Sequence, residues 1–327
     1  MSAARVPVGV IGGFLGAGKT TLMNHLMTHA DGLRLAVLVN DFGAINIDAE
    51  LLARTNDGIV SLNNGCICCG IQDDLVEQLR ELMNTRRGDI DAVLIEASGV
   101  ADPARIGRVI GYPQLRDALR LDAVVTVVDP AQVVTLEGAA ARLAREQLDG
   151  ADLVVLNKTD LCSADRLRQF RESWLFSDSR SVSTCHGQVP LDLVLGAEHT
   201  AQASAHDKPF ALAGSRYRPI GTAGHELDFA SIVWQSRQAL DVVRLRDAIR
   251  RMPSAVYRIK GFVHLAGRED EYCLLQVVGS RLELTPQSGD ASVHADSRLV
   301  LIGDRTAMHE PQLRALLDAC AAQCVAR

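Results

Sequence analysis

Gly13-Phe14-Leu15-Gly16-Ala17-Gly18-Lys19-Thr20 follows an apolar run at residues 6–11 and precedes an amphipathic stretch at residues 21–27. The spacing is G-x-x-x-x-G-K-[ST]. A strand before it and a helix after it is the context in which that pattern cradles phosphate. The glycines let successive backbone N–H groups close around phosphate oxygens, and the helix N-terminus adds its dipole. Lys19 reaches the β- and γ-phosphates, and the Thr20 hydroxyl ligates Mg²⁺. Gly13, Gly16, Ala17, Gly18, Lys19, Thr20 and Thr21 are the expected phosphate-binding positions. The bland alternative is a Gly-rich strand-to-helix turn with no ligand. The complete pattern in the right context argues against it.

Working outward, residues 35–39, 92–95, 123–128 and 153–156 are further runs rich in Val, Ile and Leu. They do not alternate with polar residues, so each reads as a strand buried on both faces, as in a parallel sheet. Helical patterns lie between several of them, for example at residues 73–83. The alternation predicts a P-loop NTPase domain of α/β class, with a doubly wound, mostly parallel sheet. A change comes after Leu195. Residues 196–207 are small, polar and unperiodic, and a linker is expected over about 196–220. Beyond it, residues 229–234, 256–265, 272–278, 281–285 and 299–302 read as strands. Residues 239–251 and 310–322 read as helices flanking them. The expected domains are a nucleotide-binding domain over 1–205 and a smaller α+β domain over 206–327.

Asn157-Lys158-Thr159-Asp160 follows the run at residues 153–156. A carboxylate there accepts from the ring N–H and amino group of guanine together, and adenine lacks that pair of donors. Leaving a buried carboxylate unpaired is costly, so a pocket built this way rejects adenine. Asn157, Lys158 and Asp160 are the expected base-binding residues. The bland alternative is a polar loop opening a helix.

Val93-Leu94-Ile95-Glu96-Ala97-Ser98-Gly99 is an apolar strand ending in a carboxylate, with glycine three residues later. Glu96 at that place orients the Mg²⁺ shell or the attacking water, and the Gly99 N–H meets the γ-phosphate. Lys19 and Glu96 are the expected catalytic residues. Asp41, in Val39-Asn40-Asp41-Phe42-Gly43, is a metal or water partner at a first switch, or else a turn-forming residue.

Three of the eight cysteines crowd into Asn63-Asn64-Gly65-Cys66-Ile67-Cys68-Cys69-Gly70. Thiolates ahead of a helix are favoured by its dipole. Soft ligands at this spacing suit Zn²⁺ or Cu(I). Three of them leave a coordination position open, as a site that must release its metal requires. Cys66, Cys68 and Cys69 are the expected ligands, with water, Asp41 or a histidine fourth. The flanking glycines and asparagines argue against small core hydrophobes. His25 and His29, and Cys320 and Cys324, are spaced i, i+4. Either pair could bind metal, but chance pairing on a helix face is the favoured reading.

At 327 residues, with 47 % hydrophobic and 23 % charged residues, the chain is an ordinary globular protein. Its net charge of −6 argues against nucleic-acid binding through a basic surface. No signal-peptide pattern precedes the first strand, and no apolar run approaches the roughly 20 residues that span a bilayer. The cytoplasm is the expected location, with no membrane partner.

Taken together, GGFLGAGKTTLMNHL, NDFG, NNGCICC, IEASGVADP and NKTD resemble the CobW-type metal-handling P-loop GTPases. The later KGFVHL and Leu275 to Gly279 resemble that family's C-terminal domain. The resemblance implies turnover of GTP to GDP with Mg²⁺, binding of Zn²⁺ or Co²⁺, and delivery of metal to a client metalloprotein; a homodimer is the assembly it leaves open. Asp41 stands where the family usually shows Glu, which alters the expected metal geometry. Only His199 and His206 occupy the linker, against the long His-rich tract of some members. The leading expectation is a zinc metallochaperone. Its rivals are a cobalt-directed member serving cobalamin synthesis or a cobalt enzyme, a small-molecule P-loop kinase with structural cysteines, and a non-enzymatic nucleotide-gated scaffold. Asn-Lys-x-Asp speaks against the kinase, which has no need to read guanine.

Overall fold

The computed structural model describes residues 5–30, 32–39, 60–62, 71–195, 229–268, 272–279, 281–287 and 296–322. The chain divides into two compact units, Met1–Ser177 with Val182–Glu226, and Asp178–Ser181 with Leu227–Arg327. The linker and the boundary expected between residues 205 and 206 lie outside the described residues.

The first unit is built on β1 (Val6–Gly12), β2 (Leu35–Val39), β3 (Val60–Leu62), β4 (Ala92–Glu96), β5 (Leu119–Val128), β6 (Leu153–Leu156) and β7 (Ser181–Ser183). They form one sheet in the order β3-β2-β4-β1-β5-β6-β7. Every pairing from β3 through β6 is parallel. The apolar runs without alternation become strands that are buried throughout: β1, β4 and β6 expose no residue on either face. Each buried Val, Ile or Leu side chain contributes roughly 1.5–3 kcal/mol by leaving water. Helix α1 (Lys19–Thr28) turns Leu22, Met23, Leu26 and Met27 inward. The helix Ile71–Arg86 packs Leu75, Leu79, Leu82 and Met83 into the same core as β1, β2 and β4.

Parallel pairing aligns the strand ends. Ile11 of β1 pairs with Glu96 of β4, and Gly12 with Thr126 of β5. Gly13, Ala97, Asp129 and Asn157 therefore leave the sheet along one edge, the carboxyl edge, where open α/β sheets bind ligands.

The second unit is a five-stranded antiparallel sheet of β8 (Phe229–Ser236), β9 (Val256–His264), β10 (Tyr272–Val278), β11 (Arg281–Gln287) and β12 (Ser297–Asp304), in the order β11-β10-β9-β12-β8. The helices Val242–Arg250 and Glu310–Asp318 share one buried core with this sheet, through Leu245, Ile249, Leu313 and Leu317 against Ile259, Leu275 and Leu299. Asp241 caps the first of them by accepting from the N–H groups of Val243 and Arg244. The Trp234 indole donates to Asp318 at 2.8 Å, tying β8 to the second. This is the α+β arrangement the sequence predicts.

Candidate functional site

The loop between β1 and α1 is shaped by glycine. Gly13 has φ 134°, and a Cβ there would run into the Val127 carbonyl of β5. Gly18 caps α1 in the left-handed conformation, with φ 103°, and a Cβ there would meet the Asn157 amide. Only glycine tolerates both demands without strain. Lys19 opens α1 and is buried, its Nζ 3.4 Å from the Phe14 carbonyl across the loop. Ala17 is buried, and Thr21 is exposed on the outer side of the first turn.

The Asn157-Lys158-Thr159-Asp160 segment is fastened to this loop. Asn157 Nδ2 donates to the Ala17 carbonyl at 2.9 Å, and Asn157 Oδ1 accepts from the Gly187 N–H at 3.0 Å. Lys158 takes a left-handed backbone, φ 56°, and its Nζ donates to the Gly16 carbonyl at 2.7 Å. The same Nζ lies 3.1 Å from Asp129 Oδ2. The Thr159 hydroxyl donates to the Thr184 carbonyl at 3.2 Å. Asp160 is exposed in the turn Thr159–Leu161.

Beside the loop, the Thr20 hydroxyl donates to Glu96 Oε1 at 3.0 Å. Glu96 is buried at the end of β4. Two hard oxygens at the mouth of a phosphate loop are the donor type that Mg²⁺ takes. Gly99 approaches so closely that a Cβ would collide with Leu15 of the loop. The structure thus brings together Gly13 through Thr20, Glu96, Gly99, Asn157 and Lys158. Asp41, Cys66, Cys68 and Cys69 lie outside the described residues, as does Cys324.

The nucleotide-binding domain family CobW/HypB/UreG matches residues 7–179, and the cobalamin synthesis protein cobW C-terminal domain matches residues 229–321. The chain belongs to the CobW/HypB/UreG family. It is 33 % identical to the zinc chaperone CobW of Pseudomonas aeruginosa, over 92 % of this chain and 88 % of that one. It is 31 % identical to the zinc chaperone CobW of a Sinorhizobium species, over 96 % and 97 %. The crystal structure of Zn(II)-bound YjiA GTPase from Escherichia coli superimposes with a TM-score of 0.43 at 23 % identity, covering 98 % of this chain and 100 % of that one.

Three parts of this CobW/HypB/UreG site escape sequence reasoning. Asp129 follows β5, caps the short helix Pro130–Val133 through Oδ1, and offers Oδ2 to Lys158. Asp-Pro after a strand was the available signal. Gln147, buried on the helix Gly138–Asp149, donates from Nε2 to the carbonyls of Gly99 (3.2 Å) and Ala101 (2.7 Å). No sequence pattern marks it. The turn Thr184-Cys185-His186-Gly187 follows β7, with His186 and Gly187 at φ 56° and 63°. A Cβ on Gly187 would press on the Leu22 backbone of α1. A short strand ending in small polar residues and glycine was its only trace.

On the distal part of α1, His25 is half-buried. Burial, helped by the neighbouring His29 ring, pushes its pKa down to about 4. Cys320 is buried and donates to the Leu316 carbonyl at 3.3 Å, and burial pushes its thiol pKa up. A raised thiol pKa suits a core residue better than a ligand.

Proposed function

We propose that this protein is a GTPase metallochaperone that loads zinc onto a client metalloprotein under control of its nucleotide state. The observation that carries the reading is the attachment of Asn157 and Lys158 to the carbonyls of Ala17 and Gly16, which holds a guanine-reading segment and a phosphate loop in one frame. The two CobW relatives are named zinc chaperones, and zinc is here cargo rather than a resident cofactor.

In this reading the backbone N–H groups of residues 13–20 receive the β- and γ-phosphates, and Lys19 neutralises them. Thr20 and Glu96 would hold Mg²⁺, which would supply positive charge against the charge that develops on the phosphates. Glu96 also orients the attacking water. Gly99 senses the γ-phosphate, and Gln147 holds the carbonyls on either side of that turn. Asp160 accepts from guanine. Cys66, Cys68 and Cys69, with Asp41, take the zinc, and the segments holding them respond to loss of the γ-phosphate. Free thiols of this kind need a reducing compartment, so we place the protein in the cytoplasm.

The test has two arms. Calorimetric titration should give far tighter binding of GTP and GDP than of ATP and ADP, with the preference relaxed in Asp160→Asn. Turnover without a partner should be slow, about 10⁻³ s⁻¹ or below, as no arginine finger is evident among the described residues. Zinc affinity against a competing chelator should then differ between the apo, GDP and GTP-analogue states by about 5–150-fold. Equal binding of ATP and GTP, or a zinc affinity indifferent to nucleotide, would overturn the reading.

A further inference from the structure

His25 lies in the last turn of α1 and His29 caps its C-terminus, both half-buried beside the Leu22, Met23, Leu26 and Met27 face that fills the core. Their rings lie 4.2 Å apart, centroid to centroid, tilted by 37°. His29 Nδ1 is 2.8 Å from the His25 carbonyl. A carbonyl only accepts, so the contact places the ring proton on Nδ1 and leaves the Nε2 lone pair for a ligand. A backbone carbonyl holding one ring nitrogen is how metal-binding imidazoles are commonly oriented. The His25 imidazole offers a ring nitrogen of its own. Among the described residues neither ring hydrogen-bonds to another side chain, and neither touches the nucleotide site.

We propose that His25 and His29 form a second metal site, a two-imidazole seat for Zn²⁺ separate from Cys66, Cys68 and Cys69. Two imidazoles this close, four residues apart at a helix end, can share a single ion. Paired imidazoles suit zinc and its late first-row neighbours and disfavour Mg²⁺ and Ca²⁺. Among the described residues no third His, Cys, Asp or Glu completes the site. Water, or a donor arriving with the metal, fills the other positions. Two protein ligands hold an ion less firmly than a closed four-ligand site, so zinc here exchanges readily. Such a seat is a place where metal is received or passed on, on the same helix whose first turn carries Lys19 and Thr20.

The experiment uses the full-length chain with Cys66→Ser, Cys68→Ser and Cys69→Ser, titrated with Zn²⁺ alone against a chromophoric chelator. Residual zinc binding should remain and should weaken about tenfold or more on adding His25→Asn or, separately, His29→Asn. GTP affinity, unchanged in both, is the check on folding. In nuclear magnetic resonance, zinc should shift the ring nitrogens of His25 and His29 together and leave His264 and His309 unmoved. The wild-type chain gives a second reading, since zinc added beyond the first equivalent should move the same two rings. Binding that ignores both histidine substitutions, or zinc that leaves the two rings unshifted, overturns the proposal. Either result leaves the nucleotide-coupled cysteine reading intact. Conversely, zinc affinity indifferent to nucleotide would sink that reading without touching this site.

Discussion

The Thr20 hydroxyl donates to Oε1 of Glu96 at 3.0 Å, joining the first turn of α1 to the end of β4. The bond unites the residue beside the phosphates with the strand that leads into the Ala97–Gly99 turn. Exchanging Glu96 for glutamine keeps an oxygen for Thr20 and removes the charge. Glu96→Gln should lower GTP turnover by about 10²-fold. Nucleotide affinity without Mg²⁺ and the melting temperature should hardly change. Single-turnover kinetics with wild-type rates in this variant would remove Glu96 from the chemistry.

Gln147 holds two carbonyls of the turn that follows Glu96. Gln147→Ala leaves both without that donor, at a cost of roughly 1–3 kcal/mol. GTP turnover should fall while GDP affinity holds, because GDP has no γ-phosphate for Gly99 to meet. A variant with unaltered denaturation midpoint and turnover would show that the turn is held by other contacts.

Asn157 is buried, with its amide shared between Ala17 and Gly187. Asn157→Ala strands one buried acceptor and one buried donor. The expected loss is roughly 2 kcal/mol or more of stability. GTP should also raise the melting temperature less than it does in the wild type, as calorimetry in the presence and absence of nucleotide would read. An equal upshift in both proteins would mean that the phosphate loop keeps its shape without Asn157.

His25 supplies a pH dependence. Its folded pKa, about 4, lies below the ordinary 6.5. Between those values the unfolded chain binds a proton that the folded chain refuses, so stability falls as pH falls through this window. The loss begins near pH 6.5 and is complete below about 4. In chelator-treated protein, His25→Asn should flatten this segment of the stability curve. A curve of unchanged slope would place the titration elsewhere.

The strands of both units were legible because burial on two faces leaves unbroken Val, Ile and Leu runs, whereas burial on one face alternates. Residues 35–39, 153–156 and 272–278 match β2, β6 and β10 in full. The phosphate loop was legible because its backbone demands glycine at fixed intervals. Gln147 was not, because it acts on backbone atoms brought near only by the packing of helices on the sheet, and Asp129 was not, because it meets the Lys158 ammonium only where β5 and β6 end side by side. The residue type at Asp160 follows from the base it would read, while its accessibility depends on the turn Thr159–Leu161.

The contacts of Asn157 and Lys158 with the phosphate loop close over 140 and 142 residues of chain. Contacts at such separation repay their loop-closure entropy only after the intervening strands have paired. The pocket is therefore among the last parts to assemble as the chain folds, after β4 and β5 have fitted on either side of β1. A ligand that binds only the finished pocket stabilises only molecules that have reached that stage. In the cell, nucleotide would thus act as a late checkpoint on folding: a chain with β6 out of register has no frame for GTP to occupy and gains nothing from it.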